Sequence, residues 1–395
     1  MKNWRIRSAL ACSIISLLAC GLVRAQAPTR KPALAVIDAK DAAHWQAVAQ
    51  EAGWQTIVPG GASTDPIDTR ALAVAAAVRG AIQNSGVDPA RVYLAGRGDS
   101  AASVFYIISR LPDMFAAGIA VGGSPRAALS TGRIYTVNFS NSPVLWVSDN
   151  DADEATAQKL KAAGMWMEWR SASGMKNADV FAWLAARTRN PFPLDVDCET
   201  DSPTFASCFW LTPGKFDVNE RNDVLPRTLV ATATPAALDL GGFAYKLDEP
   251  GPGVLVAHLP AKYSGPLRLG DRIIELDGHP IADAHAYLEI MNKANEERRV
   301  VVMVQRGKER TRIETRILVP HHDFVATARV QGKYDPGQKQ ILIISRTVTE
   351  MRLTVPTAWA GAGLWWNGLA LDRIDKAGCI LLTVDKELLH ASPCP

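Results

Sequence analysis

Over residues 33–188 the chain alternates short, largely apolar runs with longer stretches whose apolar residues recur at helical spacing. The apolar runs are 33–37, 56–58, 92–95, 118–121, 144–147 and 165–169. Between them Ala71, Val74, Ala75, Val78 and Ile82 share one helical face, as do Val104, Ile107, Ile108 and Leu111. Strands with no polar alternate are buried on both faces, so the pattern predicts a mostly parallel, doubly wound α/β sheet covered by helices. At residue 190 the helical repeats stop and Pro, Asp, Thr and Ser dominate, which reads as an irregular, strand-containing connector over 190–235 that holds one cysteine pair. Residues 236–319 carry strand, glycine-turn and helix signals of a second, α+β unit. From 320 to 395 the period falls to two, as in 340–345 and 351–355. There Trp365-Trp366-Asn367-Gly368 sets Asn-Gly between apolar residues, the signature of a tight hairpin. The expected organisation is therefore an α/β unit (31–189), the connector, the α+β unit and a small C-terminal β domain.

The first residues stand apart from this pattern. Lys2, Arg5 and Arg7 precede an apolar stretch over residues 8–23, and Val23-Arg24-Ala25 offers small residues for cleavage, so residues 1–25 read as a secretory signal peptide. A competing reading takes Leu17-Leu18-Ala19-Cys20 as a lipobox with Cys20 lipidated, which would make membrane association depend on that residue alone. The stretch is short of the ~20 apolar residues of a membrane span. Either way the chain is expected to be exported, periplasmic or secreted.

Export alters the charge picture. The formal net charge of +3 falls to about −1 once Lys2, Arg5, Arg7 and Arg24 are removed, so the sequence carries no footprint for nucleic acid. A hydrophobic content of 48% over 395 residues fits a globular protein of two or three domains. Cys12 and Cys20 lie in the signal, leaving Cys198, Cys208, Cys379 and Cys394. In an oxidising compartment the local pairs Cys198–Cys208 and Cys379–Cys394 are the economical choice among three connectivities. No histidine has ligand-like spacing to these cysteines, which argues against zinc.

Several segments carry a family resemblance in the first half. Val87-Asp88-Pro89-Ala90-Arg91-Val92-Tyr93-Leu94-Ala95-Gly96 resembles the lead into the nucleophile elbow of α/β-hydrolases of the esterase and peptidase-like branch. Leu111-Pro112-Asp113-Met114-Phe115-Ala116-Ala117 running into Val121-Gly122-Gly123 resembles the end of the elbow helix and the strand after it. Residues 143–147 with Ser148-Asp149-Asn150-Asp151 resemble the strand and loop that deliver the acid, and Phe181-Ala182-Trp183-Leu184 the last helix. The resemblance implies the hydrolase fold over about 160 residues.

It does not bring the chemistry with it. The elbow requires a serine whose hydroxyl projects over the sheet, and Gly98 occupies that position. Ser100 lies two residues on, about 200° round a helix, and reads as a first-turn serine. The general base should come from the loop before the last helix, yet 171–179 contains Lys176 and no histidine, and His44 is the domain's single histidine. Asp151, the candidate acid, then has nothing to orient and reads as a cap for a helix beginning near Ala152. Arg97-Gly98-Asp99-Ser100 spells an integrin-type tetrapeptide on a buried turn. Asp149, Asp151 and Asp153 start a calcium-loop pattern that Glu154 and Leu160 break. Neither motif implies a ligand, and no metal or cofactor is expected.

The second unit resembles a PDZ domain. Leu240-Gly241-Gly242-Phe243 matches the carboxylate-binding loop, with Leu240 in place of its usual first glycine. Residues 253–256 resemble the next strand, and the run from Ser264 through Leu267, Gly270, Asp271, Ile273 and Gly278 follows the family's central pattern. A helix over 283–292 and a strand over 300–304 complete it. The resemblance implies that backbone N–H groups of the glycine loop hold a peptide's terminal carboxylate while the peptide adds a strand to the sheet edge. Phe243 would line the terminal side-chain pocket. His285, near the start of the groove helix, would contact a ligand hydroxyl or lie on the surface.

These readings predict a non-catalytic envelope protein that joins a pseudo-hydrolase scaffold to a module for protein or peptide C-termini. The alternatives are an active esterase or peptidase with non-standard catalytic residues, and a carbohydrate- or surface-binding protein using Trp359, Trp365 and Trp366.

Overall fold

The computed structural model describes residues 30–61, 64–229, 236–294, 296–319, 326–371, 373–385 and 387–395. The expected signal peptide, with Cys12 and Cys20, lies outside them. The first unit is a parallel six-stranded sheet in which β1 (Lys31–Val36), β2 (Gln55–Ile57), β3 (Val87–Arg97), β4 (Ala117–Val121), β5 (Val144–Ser148) and β6 (Met167–Ser171) stand in the order β2-β1-β3-β4-β5-β6. All six apolar runs became strands. The last begins two residues later than its run, at Met167, and Met165 before it is buried in the core.

Helices cover both faces, as fully apolar strands demand. On one side lie α2 (Ile67–Asn84), α3 (Ala101–Arg110) and α5 (Asp151–Ala162); on the other lie α1 (Ala42–Glu51) and α6 (Asn177–Ala185). A one-turn helix, α4 (Arg126–Leu129), follows β4. The chain moves outward from β1 to β2 and then returns past β1 to β3. This reversal marks the point where ligands bind in open α/β sheets. The topology is that of an α/β-hydrolase fold.

The segment expected as a strand-containing connector supplies two strands to a later unit. Its strands β7 (Asp195–Thr200) and β8 (Leu211–Phe216) pair with strands more than a hundred residues later. The interval between them and those partners holds the PDZ-like unit: β9 (Ala237–Leu238), β10 (Val254–Leu255), β11 (Arg272–Leu276), β12 (His279–Pro280), α7 (Ala284–Lys293), β13 (Arg298–Arg306) and β14 (Glu309–Leu318), in the sheet order β10-β11-β13-β14-β9. The C-terminal unit then adds β15 (Ala328–Asp335), β16 (Gln340–Arg346), β17 (Val348–Val355), β18 (Gly363–Trp366), β19 (Leu369–Leu371), β20 (Gly378–Asp385) and β21 (Leu388–Pro393). Local patterning could not reveal β7 and β8 as members of this unit, because the partners that bury them lie beyond an inserted domain.

Two sheets, β19-β18-β16-β15-β7 and β21-β20-β17-β8, share one core of Trp210, Ile341, Ile343, Met351, Leu353, Trp359, Leu364 and Trp366. The hairpin of β18 and β19 turns on Asn367 and Gly368, both with positive φ (48° and 86°), as its Asn-Gly signal predicts. Both expected disulfides are present: Cys198–Cys208 joins the end of β7 to the approach to β8, and Cys379–Cys394 joins β20 to the C-terminus.

The α/β unit and the C-terminal β unit meet in a buried polar seam. Asn138 uses its side-chain amide as a strand would, donating to the Glu199 carbonyl (2.8 Å) and accepting from the Glu199 N–H (2.8 Å). That covers an edge of β7 which would otherwise offer unpaired backbone. The Glu199 carboxylate, 1% exposed, accepts from Thr228 N–H (2.7 Å) and hydroxyl (2.8 Å) and pairs with Arg346 (2.7 Å). Nearby, Arg110 of α3 is bonded to Asp201 beyond β7.

Candidate functional site: an empty elbow and an open groove

The turn expected as the elbow carries glycine at its apex. β3 ends at Arg97 and α3 begins at Ala101, with a tight turn over Gly98, Asp99 and Ser100 between them. Gly98 sits at the apex with φ of 56°, a left-handed conformation suited to glycine, and a Cβ placed there would meet open space. The position where a hydroxyl would project is therefore present and carries no side chain. Ser100 is 2% exposed, and its hydroxyl is engaged inside the turn, accepting from Arg97 N–H (2.8 Å) and facing the Arg97 carbonyl (2.9 Å) and the Asp41 carboxylate (3.3 Å).

The acid loop differs from its expectation by one residue. Asn150, not Asp151, caps α5 by accepting from Ala152 N–H (3.1 Å), and Asp151 is the helix's first residue; its side chain lies outside what is described. Asn150 fits because its N-cap backbone is extended (φ −99°, ψ 116°), whereas Asp151 is already helical. Asp149 is exposed and accepts from Ser171 (3.3 Å). In the loop before α6, the Lys176 N–H donates to Asp179 (3.0 Å). His44 is exposed on α1, edge-on to Trp45 at 5.2 Å.

The PDZ-like unit presents a different arrangement. Leu240 is 1% exposed and belongs to the domain core, so its side chain anchors the glycine loop from below. Its carbonyl accepts from the Tyr263 hydroxyl (2.6 Å), which in turn accepts from Leu267 N–H (3.0 Å). This tyrosine brace was not foreseen; its only sequence signal is an aromatic residue immediately before Ser264-Gly265. Gly241 and Gly242 come next with φ of 78° and 80°, and both are exposed.

Past the loop, Ala244 pairs with its neighbour strand, donating to the His258 carbonyl (2.9 Å) and accepting from Ala257 N–H (2.9 Å). Half-buried Phe243 and Tyr245 lie against Tyr287 of α7, with ring centroids at 6.4 and 5.4 Å. Burial raises the Tyr287 and Tyr245 phenols above their usual range, so both stay neutral.

Asp283 caps α7 through Ala286 N–H (2.8 Å). Ala284 is buried at the first helical position. His285 comes after it, 63% exposed, with Nε2 3.7 Å from an Asp248 oxygen at the far end of the groove. The site thus combines an exposed glycine loop, an aromatic cluster of Phe243, Tyr245 and Tyr287, and an exposed histidine on α7.

Asp271 holds this module's central turn. It is 1% exposed, takes two hydrogen bonds from Arg306 (2.9 and 2.8 Å) and a third from Arg268 N–H (2.7 Å). Burial alone would raise its pKa, but the Arg306 and backbone hydrogen bonds outweigh it and hold the carboxyl below its ordinary value. A depressed carboxyl contributes stability that is present above its unfolded pKa of about 3.9 and lost as pH falls through the folded value. Thermal melts of the full chain should therefore weaken below about pH 4, and Asp271→Asn should flatten that part of the profile. An unchanged acid limb would contradict the assignment.

Comparison with known proteins agrees with this geometry. A family model described as PDZ domain matches residues 242–317, a span that starts within the glycine loop and ends in β14. That segment is a PDZ domain.

Among solved structures, the chain is similar to esterase PE8 (18% identity, 40% of this chain and 93% of that one, TM-score 0.30). It is also similar to a putative dienelactone hydrolase from Klebsiella pneumoniae (19%, 41% and 89%, 0.32) and to an acetyl ester-xyloside bifunctional hydrolase from Caldicellulosiruptor lactoaceticus (11%, 41% and 85%, 0.32). No curated protein matches.

Proposed function

We propose that this is an exported, non-catalytic protein whose PDZ domain binds protein C-termini or extended peptides, with the hydrolase-like unit as scaffold. The observation that carries the reading is an exposed glycine loop beside the Phe243, Tyr245 and Tyr287 rings, together with Gly98 at the apex of the turn after β3. In the groove, the terminal carboxylate would rest on amides of the Gly241–Gly242 turn. The peptide backbone would pair with the sheet edge, and its last side chain would meet Phe243 and Tyr287.

The test is a titration of the mature full chain with a library of peptides bearing free or amidated C-termini. Free termini should bind, and amidation should weaken them. Gly241→Glu, which places a carboxylate in the loop at a left-handed φ, should weaken binding by about 100-fold, or ~2.7 kcal/mol. His285→Ala, at an exposed position, should fold normally and shift residue preference upstream of the terminus. Absence of binding across the library, or an unchanged Gly241→Glu, would defeat the proposal. So would ester turnover that disappears in Ser100→Ala or Asp151→Asn, the outcome that the active-hydrolase reading requires.

A further inference from the structure

The outer face of the C-terminal sheet carries a second cavity, distinct from the PDZ groove. Strand registers set the outward-facing side chains of that sheet in two rows, with Trp365 beside the cavity and the others in its lining. One runs Trp365, Leu342, Lys333, Asp195 across β18, β16, β15 and β7; the next runs Ile344, Gln331, Asp197. Alternate residues, Ile341, Ile343 and Val330, point into the core, so both rows face outward. Ser140 and Asn141 of the α/β unit wall the rows on one side and close a cavity of about 550 Å³ at the seam. That volume lies in the range of small-molecule sites.

The lining has two kinds of surface. Leu342 and Ile344 are 39% and 37% exposed and form an apolar floor, and half-buried Trp365 stands in register beside Leu342. Around it are the polar groups. Asp197 is fixed by Arg329 through two hydrogen bonds (2.9 and 2.7 Å) and by Gln331 Nε2 (2.7 Å). This sets the Gln331 amide in place with its carbonyl and second N–H available. Lys333 and Asp195 face each other across β15 and β7 and are exposed.

The backbone of the floor is already spent: β16 is paired on both sides, with β15 and β18, and β15 with β16 and β7. An extended peptide could gain no main-chain ladder there, so recognition must come from side chains. An apolar floor of Leu342 and Ile344, flanked by Trp365 and ringed by a fixed amide, a carboxylate and an ammonium, matches one ligand chemistry well. A pyranose has an apolar C–H face to lay on Trp365 and Leu342 and vicinal hydroxyls to engage Gln331 and Asp195. We propose that this cavity binds a saccharide. Of the three tryptophans in the tail, Trp359 and Trp366 are core residues (5% and 1% exposed), which leaves Trp365 as the platform.

The experiment is calorimetric titration of the mature full chain with maltotetraose, cellotetraose and tetra-N-acetylchitotetraose at millimolar concentration. At least one should bind saturably. Trp365→Ala and Gln331→Leu should each weaken it about tenfold or more, while peptide binding by the PDZ domain stays unchanged. Should Trp365→Ala lower the melting temperature, Trp365→Phe, which keeps a ring on the same face, and Gln331→Leu decide the matter. Failure of all three sugars to bind, equal binding by the variants, or displacement of bound sugar by peptide would overturn the proposal.

Discussion

Asp201→Ala is expected to destabilise the full chain by about 3–5 kcal/mol, the usual cost of removing one partner from a buried ion pair. Arg110 and Asp201 are 1% and 3% exposed at the side chain, one from each side of the seam between the α/β and C-terminal units. Arg133 reaches the same carboxylate at 3.1 Å and Asp68 at 2.9 Å, so Asp201 sits between two guanidinium groups. Its loss leaves Arg110 with the Phe205 ring (4.3 Å) and Asp68 at 3.8 Å, neither of which replaces a buried hydrogen-bonded carboxylate.

The measurement is equilibrium unfolding in urea, read by a probe in each unit. Both transitions should shift, because the pair ties the units together. The double variant Arg110→Met, Asp201→Leu should recover much of the loss, since an apolar pair of similar volume removes the stranded charge. A single variant within about 1 kcal/mol of the parent would show the seam to be held mainly by other contacts.

How far the fold was legible depended on where each element finds its partner. The six strands of the first sheet could be read because each has an apolar or mainly apolar run and lies beside helices close in sequence. The hairpin at Asn367-Gly368 was readable for the same local reason. β7 and β8 were not, since Val196, Cys198 and Leu211 are buried by strands that return only after the PDZ domain.

The site divided along similar lines. Gly241, Gly242 and Phe243 are named by a short motif. The Tyr263 brace and the aromatic contact of Tyr245 with Tyr287 arise from packing, which spacing does not encode. Leu240, matched to the loop by its motif, also has its side chain in the domain core, which the motif alone does not say.

The elbow supplies the other large effect, in the contrast between two glycines that meet there. A Cβ on Gly123 would lie 2.1 Å from the Gly98 carbonyl oxygen and 2.9 Å from the Ala101 methyl. Both obstacles belong to the elbow turn and the start of α3, so no flexible side chain can yield. Gly123→Ala should therefore cost about 3 kcal/mol, the upper end of ordinary overpacking, read as a fall in melting temperature of about 6–12 °C.

Gly98→Ser puts a larger group into open space at the cost of a left-handed φ alone, roughly 1 kcal/mol. It should fold and place a hydroxyl where the hydrolase fold keeps its nucleophile. It should still fail to turn over p-nitrophenyl esters above background, because the loop at 171–176 supplies no histidine to take the proton. If Gly123→Ala is tolerated, the elbow no longer constrains the scaffold. If Gly98→Ser hydrolyses esters, a base exists that the triad geometry does not reveal. The expected pair of results, close packing kept and nucleophile position unused, is what a hydrolase fold retained for its shape should give.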